Sequence, residues 1–266
     1  MKLDGNSLSL ESFHAIVERQ AEVSLCEKAR ERIKKARTVV DKAILKGERV
    51  YSINTGFGIL SKVTIPPESL DELQVNLIRS HCAGVGEIHS ETESRAILLL
   101  RTNVLAKGMS GVRPELVDFL ISMLNKRIHP VIPSKGSVGA SGDLAPLAHL
   151  ACVIIGEGEA MYRGLRMTGG EALNKAGMKP LKLAPKEGLS LINGTQQMTA
   201  IGALTLLRAE ETAELADLIC AASLDGVLGT PRAYMEWVQE ARPYAGQIKS
   251  AERLRKYYTH SHSRLE

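Results

Sequence analysis

The sequence predicts a mainly α-helical protein with a small α+β portion toward its N-terminus, and three observations carry that expectation. Aromatic residues make up only 4% of the 266 positions, while Ala and Leu are abundant, a balance that suits helix-on-helix packing better than a sheet. Apolar residues recur at helical spacing through most of the chain. From about Thr195 to Leu224 the helical pattern is unbroken, enough for a helix roughly 45 Å long at 1.5 Å per residue.

Taken in order, residues 10–47 read as two helices rich in Glu, Lys and Ala. Arg49–Ile53 is short and β-like, and Asn54-Thr-Gly-Phe-Gly58 follows it; the two glycines mark a tightly bent loop able to act as a lid. Pro66-Pro67 precedes a helix on which Leu70, Leu73, Leu77 and His81 share one face, so His81 is expected to point inward. Helices are expected over 92–107 and 114–127, the second opening at Pro114, a favoured first position. His129-Pro-Val-Ile-Pro133 is an extended connector into a glycine-rich loop, 134–143. Asp143 reads as the N-cap of the next helix, which carries Pro146 in its first turn and ends near Gly156. Met161–Met167 looks like a small structural hairpin, and Asn193-Gly194 leads into the long helix. That helix, alanine-rich throughout, suggests a bundle shared between subunits. The expected organisation is 1–195 as an N-terminal domain carrying the loop, 196–256 as the start of a long-helix bundle, and 257–266 as an atypical tail.

Composition excludes several classes. A net charge of +4 with acids and bases interspersed gives no footprint for nucleic acid or an anionic membrane. The most apolar runs are too short and interrupted to span a bilayer. The four cysteines (26, 82, 152 and 220) are widely spaced with no C-x-x-C pair, and three lie in apolar stretches. Buried free thiols in a reducing cytoplasm are therefore expected, with no metal site. The N-terminus has no apolar signal region.

The chemistry concentrates in the 134–143 loop, which holds the triplet Ala140-Ser141-Gly142. Gly139 and Gly142 free φ on either side of the Ala-Ser pair. Such a loop can bend until the Gly142 nitrogen approaches the Ala140 carbonyl carbon. Ring closure there with loss of two waters would give an exocyclic methylidene, an electrophile that no ordinary side chain supplies. A phosphate cradle is the competing reading, but Lys-Ser or Lys-Thr does not follow the last glycine, and Asp143 would repel an anion. A nucleophile elbow needs glycine two residues after the serine, where Asp143 stands. A plain helix-entry loop is the remaining alternative.

The run Lys135-Gly-Ser-Val-Gly-Ala-Ser-Gly-Asp-Leu-Ala-Pro-Leu-Ala-His149 resembles the signature of the aromatic amino acid ammonia-lyases. Three more segments agree in order and spacing: Tyr51-Ser-Ile-Asn-Thr-Gly-Phe-Gly58, Asn76-Leu-Ile-Arg-Ser-His-Cys-Ala-Gly84 and Leu191-Ile-Asn-Gly-Thr-Gln196. The similarity runs to about Arg255 and covers the first half of family members, which are roughly twice as long. The resemblance implies the ammonia-lyase/fumarase-like helical fold in truncated form. It also implies a methylidene-imidazolone formed from Ala140, Ser141 and Gly142, with no external cofactor. Ser80-His81 is similar to the histidine-specific branch, which implies elimination of ammonia from L-histidine to give trans-urocanate. By the same resemblance Tyr51 is the base for the β-proton, a role that requires its pKa to be lowered. His81 binds the substrate imidazole or assists proton transfer, and Asn193 hydrogen-bonds the imidazolone oxygen or the substrate amine. His149 is assigned to packing. The family implies a homotetramer whose sites draw on several subunits, and a second half supplying an arginine for the carboxylate, an aromatic wall and a glutamate. Two alternatives stand beside this reading: a catalytically silent fragment or interaction module of the same fold, and a phenylalanine or tyrosine ammonia-lyase.

Overall fold

The computed structural model describes residues 1–58 and 61–258; residues 259–266, most of the expected tail, lie outside the described residues. The chain divides into two compact units, Met1–Ala203 and Leu204–Glu266. The expected boundary at 195/196 falls just before this division.

The first unit begins with β1 (Lys2–Leu3), α1 (Leu10–Val17), β2 (Ser24–Leu25) and α2 (Glu27–Leu45). The two short strands pair in parallel, an element with no sequence pattern long enough to announce it. The β-like reading of Arg49–Ile53 is not met. Residues 51–53 form a turn in which Ser52 takes φ +66°. Asn54 explains why: its Oδ1 accepts from Val50 N at 2.9 Å and its Nδ2 donates to Glu48 O at 2.9 Å. A side chain that satisfies both a donor and an acceptor of the preceding backbone favours a turn over an extended run.

Pro67–Ser69 forms a 3₁₀ turn into α3 (Leu70–His81), followed by β3 (Val85–Ile88). α4 (Glu91–Ala106) opens on a Ser90–Glu93 capping box and α5 (Pro114–Asn125) on its proline. The connector from 128 to 135 is two short strands, β4 (Ile128–Pro130) and β5 (Pro133–Lys135). α6 (Leu144–Ile154) follows the glycine loop. β6 (Glu159–Tyr162) and β7 (Leu165–Thr168) make the expected hairpin, and β6 also pairs with β4 to give a three-stranded antiparallel sheet. α7 (Gly169–Lys175) and α8 (Glu187–Ile192) complete the approach to α9 (Gln196–Gly226), the long helix. α7 was not foreseen because Gly169-Gly170 opens it, although the Thr168–Glu171 capping box was readable.

The core of this unit is α4, α5 and α6. Ala96, Ile97, Leu98 and Leu99 of α4 are all fully buried, as are Leu147, Ala148, Leu150 and Ala151 of α6. α6, apolar on every face but for His149, belongs at the centre. The burial of these residues fixes the platform from which the glycine loop projects.

The second unit contains the rest of α9, then α10 (Glu236–Glu240) and α11 (Ala245–Tyr258). Within it Arg253 of α11 pairs with Asp217 at 3.2 Å and with Glu214, and Tyr258 donates to Gly229 O at 2.8 Å. Among the described residues, no helix is long and apolar enough to cross a membrane.

Candidate active site

The glycine loop leaves β5 and is shaped by two close backbone approaches. A Cβ at Gly136 would lie 3.1 Å from Gly84 Cα. Gly142 has φ +112°, and a Cβ there would lie 2.4 Å from Gly194 O. No side chain fits that gap, so glycine at 142 is a packing requirement as well as a conformational one. The contact is sealed by a 2.6 Å hydrogen bond from Asp143 N to Gly194 O. Ala140 and Ser141 are exposed. Among the described residues, neither the Gly142 N–H nor the Ala140 carbonyl is engaged in a hydrogen bond. The two groups that ring closure would join are thus free of competing partners.

Asp143 does not cap its own helix, contrary to the sequence expectation. Its carboxylate is buried and accepts from Ser137 Oγ at 2.8 Å and from Met198 N at 3.0 Å. Met198 lies in the first turn of α9, where backbone N–H groups lack helical partners. Asp143 therefore caps the long helix across space, and the same group pins the loop through Ser137.

Asn193 caps the end of α8 with its side chain exposed, and its neighbour Gly194 makes the contact with the loop. The turn is held from below by Arg101 of α4. Its guanidinium donates to Asn193 O at 3.1 Å, to Gln196 Oε1 at 2.6 Å and to Ser190 O. Burial lowers the Arg101 pKa to about 10, and the three acceptors offset the cost of enclosing the charge. Sequence reasoning missed Arg101, although an arginine directly after the apolar run Ala96–Leu100 is the signal that marks it.

His81 is the last residue of α3 and is half-buried rather than inward-pointing. The stripe it belongs to does run inward through Leu70 and Leu77, with Gln74 and Ile78 beside them. At the helix end, however, the chain turns away and leaves the ring partly open. Its Nδ1 lies 2.8 Å from Leu77 O and 3.1 Å from Ser80 Oγ. Donation from Nδ1–H to Leu77 O leaves the Nε2 lone pair available. The next residues lead to β3, which pairs antiparallel with β5 in the register Val85↔Lys135 and Ile88↔Pro133. That pairing ties the end of α3 to the start of the glycine loop.

Tyr51 is 52% exposed and stacks edge-on against Phe57, ring centroids 6.0 Å apart. Among the described residues, no hydrogen bond joins it to His81, Asn193 or the 140–142 triplet. Its turn is anchored one residue on, where Lys186 Nζ donates to Ser52 Oγ at 2.6 Å. Lys186 sits at the N-terminus of α8 with φ +81°, and burial lowers its pKa. One short helix thus carries Lys186, which grips the Tyr51 turn, at one end and leads at the other through Asn193 to Gly194, which touches the loop. Glu187, fully buried, fixes that helix by accepting from Arg113 Nη2 at 2.8 Å, from Arg113 N at 2.9 Å and from Ala184 N at 2.8 Å. Lys186 and Glu187 carry no motif that separates them from the surface charges around them.

Residues 8–264 match the family described as aromatic amino acid lyase; the match extends past Arg255 and into the segment set apart as a tail. Histidine ammonia-lyase of Anaeromyxobacter sp. (strain K) is 52% identical over 260 residues, covering 95% of this chain and 51% of that protein. The crystal structure of histidine ammonia-lyase from Trypanosoma cruzi superposes with a TM-score of 0.88 at 41% identity, covering 96% of this chain and 49% of the other. Ergothionase from Treponema denticola, an ergothioneine-degrading enzyme, superposes with a TM-score of 0.90 at 36% identity, covering 96% and 51%. The chain spans about half the length of the curated relatives it matches.

Proposed function

This chain belongs to the aromatic amino acid lyase family, and from that premise we propose that it serves as the loop-bearing half of a histidine ammonia-lyase. The reaction is elimination of ammonia from L-histidine to give trans-urocanate. The observation that carries this reading is the Gly142–Gly194 contact, which leaves an exposed Ala140-Ser141 pair free of competing hydrogen bonds. The residues fit a methylidene-imidazolone held within the chain itself, by Ala140, Ser141 and Gly142. When present, that group supplies an electrophilic carbon that activates the departing amine.

The remaining work falls to the side chains around the loop. Tyr51 takes the β-proton on its phenolic oxygen, and the Lys186 ammonium, bonded one residue away, supplies positive charge to its turn. His81 offers Nε2 to the N–H of the substrate imidazole, its Nδ1 being committed to Leu77 O. Asn193 directs its free side-chain amide at the substrate amine. Asp143 and Arg101 hold the two sides of the loop contact and touch no substrate.

Assembly is part of the proposal. Leu206, Leu215, Leu218 and Ile219 of α9 are between 46% and 56% exposed, a run of apolar surface that a homotetramer in the cytoplasm would cover. Intact mass and absorbance test the reading together. A mass short by two waters, with urocanate formed from histidine, is expected. Full unmodified mass with no urocanate would identify a silent module of the fold. Replacing His81 (His81→Leu) should abolish turnover of histidine selectively; unchanged substrate preference would favour a phenylalanine or tyrosine lyase.

A further inference from the structure

Outside the loop, the most reactive grouping in the described residues is a pair of thiols. Cys82 follows the last residue of α3, and Cys152 lies within α6; their Sγ atoms are 3.1 Å apart although the two residues are 70 apart in the chain. Cys152 is buried and Cys82 half-buried. Both line a cavity of about 520 Å³ open to solvent, together with His149, Arg79, Glu157, Glu159 and Arg166. Gly158 backs the pair, since a Cβ there would stand 3.1 Å from Cys152 Cβ.

We propose that Cys82 and Cys152 form a modification site, a dithiol that a hydroperoxide oxidises to an intramolecular disulfide. The Sγ atoms are about 1 Å farther apart than a disulfide bond of about 2.05 Å requires. Cys82 can close that gap because it lies past the last helical turn, at φ −76° and ψ 59°. The two sulfurs have distinct roles. Hydrogen bonding from the Cys152 thiol, with smaller help from His149, lowers the Cys82 pKa against burial and Glu157, while the same contact and burial raise that of Cys152. The facing charges are Arg79 on α3, His149 on α6, Glu157 after α6, and Glu159 and Arg166 on the β6–β7 hairpin, the last two paired with each other.

Chemically, the Cys82 thiolate attacks one oxygen of hydrogen peroxide, the O–O bond breaks, and hydroxide leaves and is protonated to water, giving the sulfenic acid. The Cys152 sulfur then attacks the Cys82 sulfur, its proton joins the departing hydroxyl as water, and the S–S bond forms. Two thiols lose two electrons and two protons, and one hydrogen peroxide is reduced to two waters. The product ties the end of α3, one residue after His81, to α6. Nothing in this site depends on the lyase reading.

The test exposes the 266-residue chain to hydrogen peroxide at pH 7, with thiol titration, intact mass and a non-reducing peptide map. Titratable thiols should fall from four to two, the mass should drop by two hydrogens, and peptides containing Cys82 and Cys152 should be linked. Cys152→Ser (or Cys152→Ala, should the serine unsettle the fold) should stop at a sulfenic acid that dimedone traps on Cys82. Cys82→Ser should leave Cys152 unoxidised. Between pH 7 and pH 9 the rate at Cys82 should change by less than about twofold, whereas an ordinary thiol with pKa about 8.5 gains roughly 25-fold. Disulfide-linked dimers in place of the internal bond, or loss of Cys26 and Cys220 in step with Cys82, would overturn the proposal. So would a rate at Cys82 that climbs with pH as an ordinary thiol's does.

Discussion

Substituting Gly142→Ala tests whether the loop is held by contact or merely tolerated. The new Cβ would stand 2.4 Å from Gly194 O, 2.8 Å from its carbonyl carbon and 2.9 Å from its nitrogen. Reaching even 3.0 Å from the oxygen requires a shift of about 0.6 Å, which would stretch the 2.6 Å Asp143–Gly194 hydrogen bond to about 3.2 Å, the edge of the usual range. Gly194 has no room to retreat, because its own Cβ position lies 2.2 Å from Arg101 Nη1 and from Gln196 Oε1. The costs are then roughly 1–3 kcal/mol for an alanine at φ +112°, about 1 kcal/mol for the weakened hydrogen bond, and roughly 1–3 kcal/mol for overpacking. A total near 4 kcal/mol should lower Tm by about 10 °C for a chain of this size. The control is Gly139→Ala, where φ is +67° but nothing lies within 4 Å of the added Cβ. It should lose only about 1–2 kcal/mol. Thermal unfolding followed by circular dichroism reads both. Equal Tm losses in the two variants would refute the contact argument and reduce the loop to ordinary glycine conformational preference.

Asp143→Ala should leave Met198 N and Ser137 Oγ without their acceptor and cost about 2–4 kcal/mol, read as a lower urea midpoint. Glu187→Ala should cost about 3–5 kcal/mol because the Arg113 side chain then loses its buried counter-charge, whereas Glu159→Ala on the exposed hairpin should cost under 1 kcal/mol by the same assay. His129 should make the first unit acid-labile. Burial, then the charges of Arg95 and Arg127, lower its pKa from 6.5 to about 4. Between those values the unfolded chain binds the extra proton, so stability falls as pH drops from about 6.5 toward about 4, by up to about 3 kcal/mol. His129→Gln should flatten the urea midpoint between pH 7 and pH 4.5.

Where one chemical pattern settles a local conformation, the sequence was legible. Pro114 marked a helix start, and the hairpin expected over 161–167 closes at Arg163-Gly164 with φ +52° and +75°. The 49–53 segment was misread because β-propensity of Val, Tyr and Ile is weak beside a side chain that satisfies the turn, which Asn54 does. Asp143 was misread for a different reason. Its position before α6 is that of an N-cap, but the helix it serves begins fifty-odd residues later, and pairing across that distance leaves no trace in local spacing. The cysteines show the same limit: apolar neighbours foretold burial, yet only Cys152 is buried, and the 3.1 Å approach of Cys82 was invisible.

The candidate site illustrates why motif residues and structural residues divide as they do. Ala140, Ser141, His81 and Asn193 were singled out from sequence by the motifs that contain them. Arg101, Lys186 and Glu187 were not, because many residues could in principle brace a loop and only the fold selects these. Yet the bracing decides the geometry. α4 is fixed by its own burial, Arg101 on α4 fixes the 190–196 turn, and that turn leaves Gly142 no space for a side chain. A loop of small residues has almost no packing of its own, so its shape must be imposed by neighbours that cannot yield. If Arg101 supplies that rigidity, Arg101→Met should release Gly194 and partly rescue Gly142→Ala, so that the double variant loses less than the sum of the two single losses. Strict additivity would place the rigidity elsewhere, in the Asp143 cap of α9.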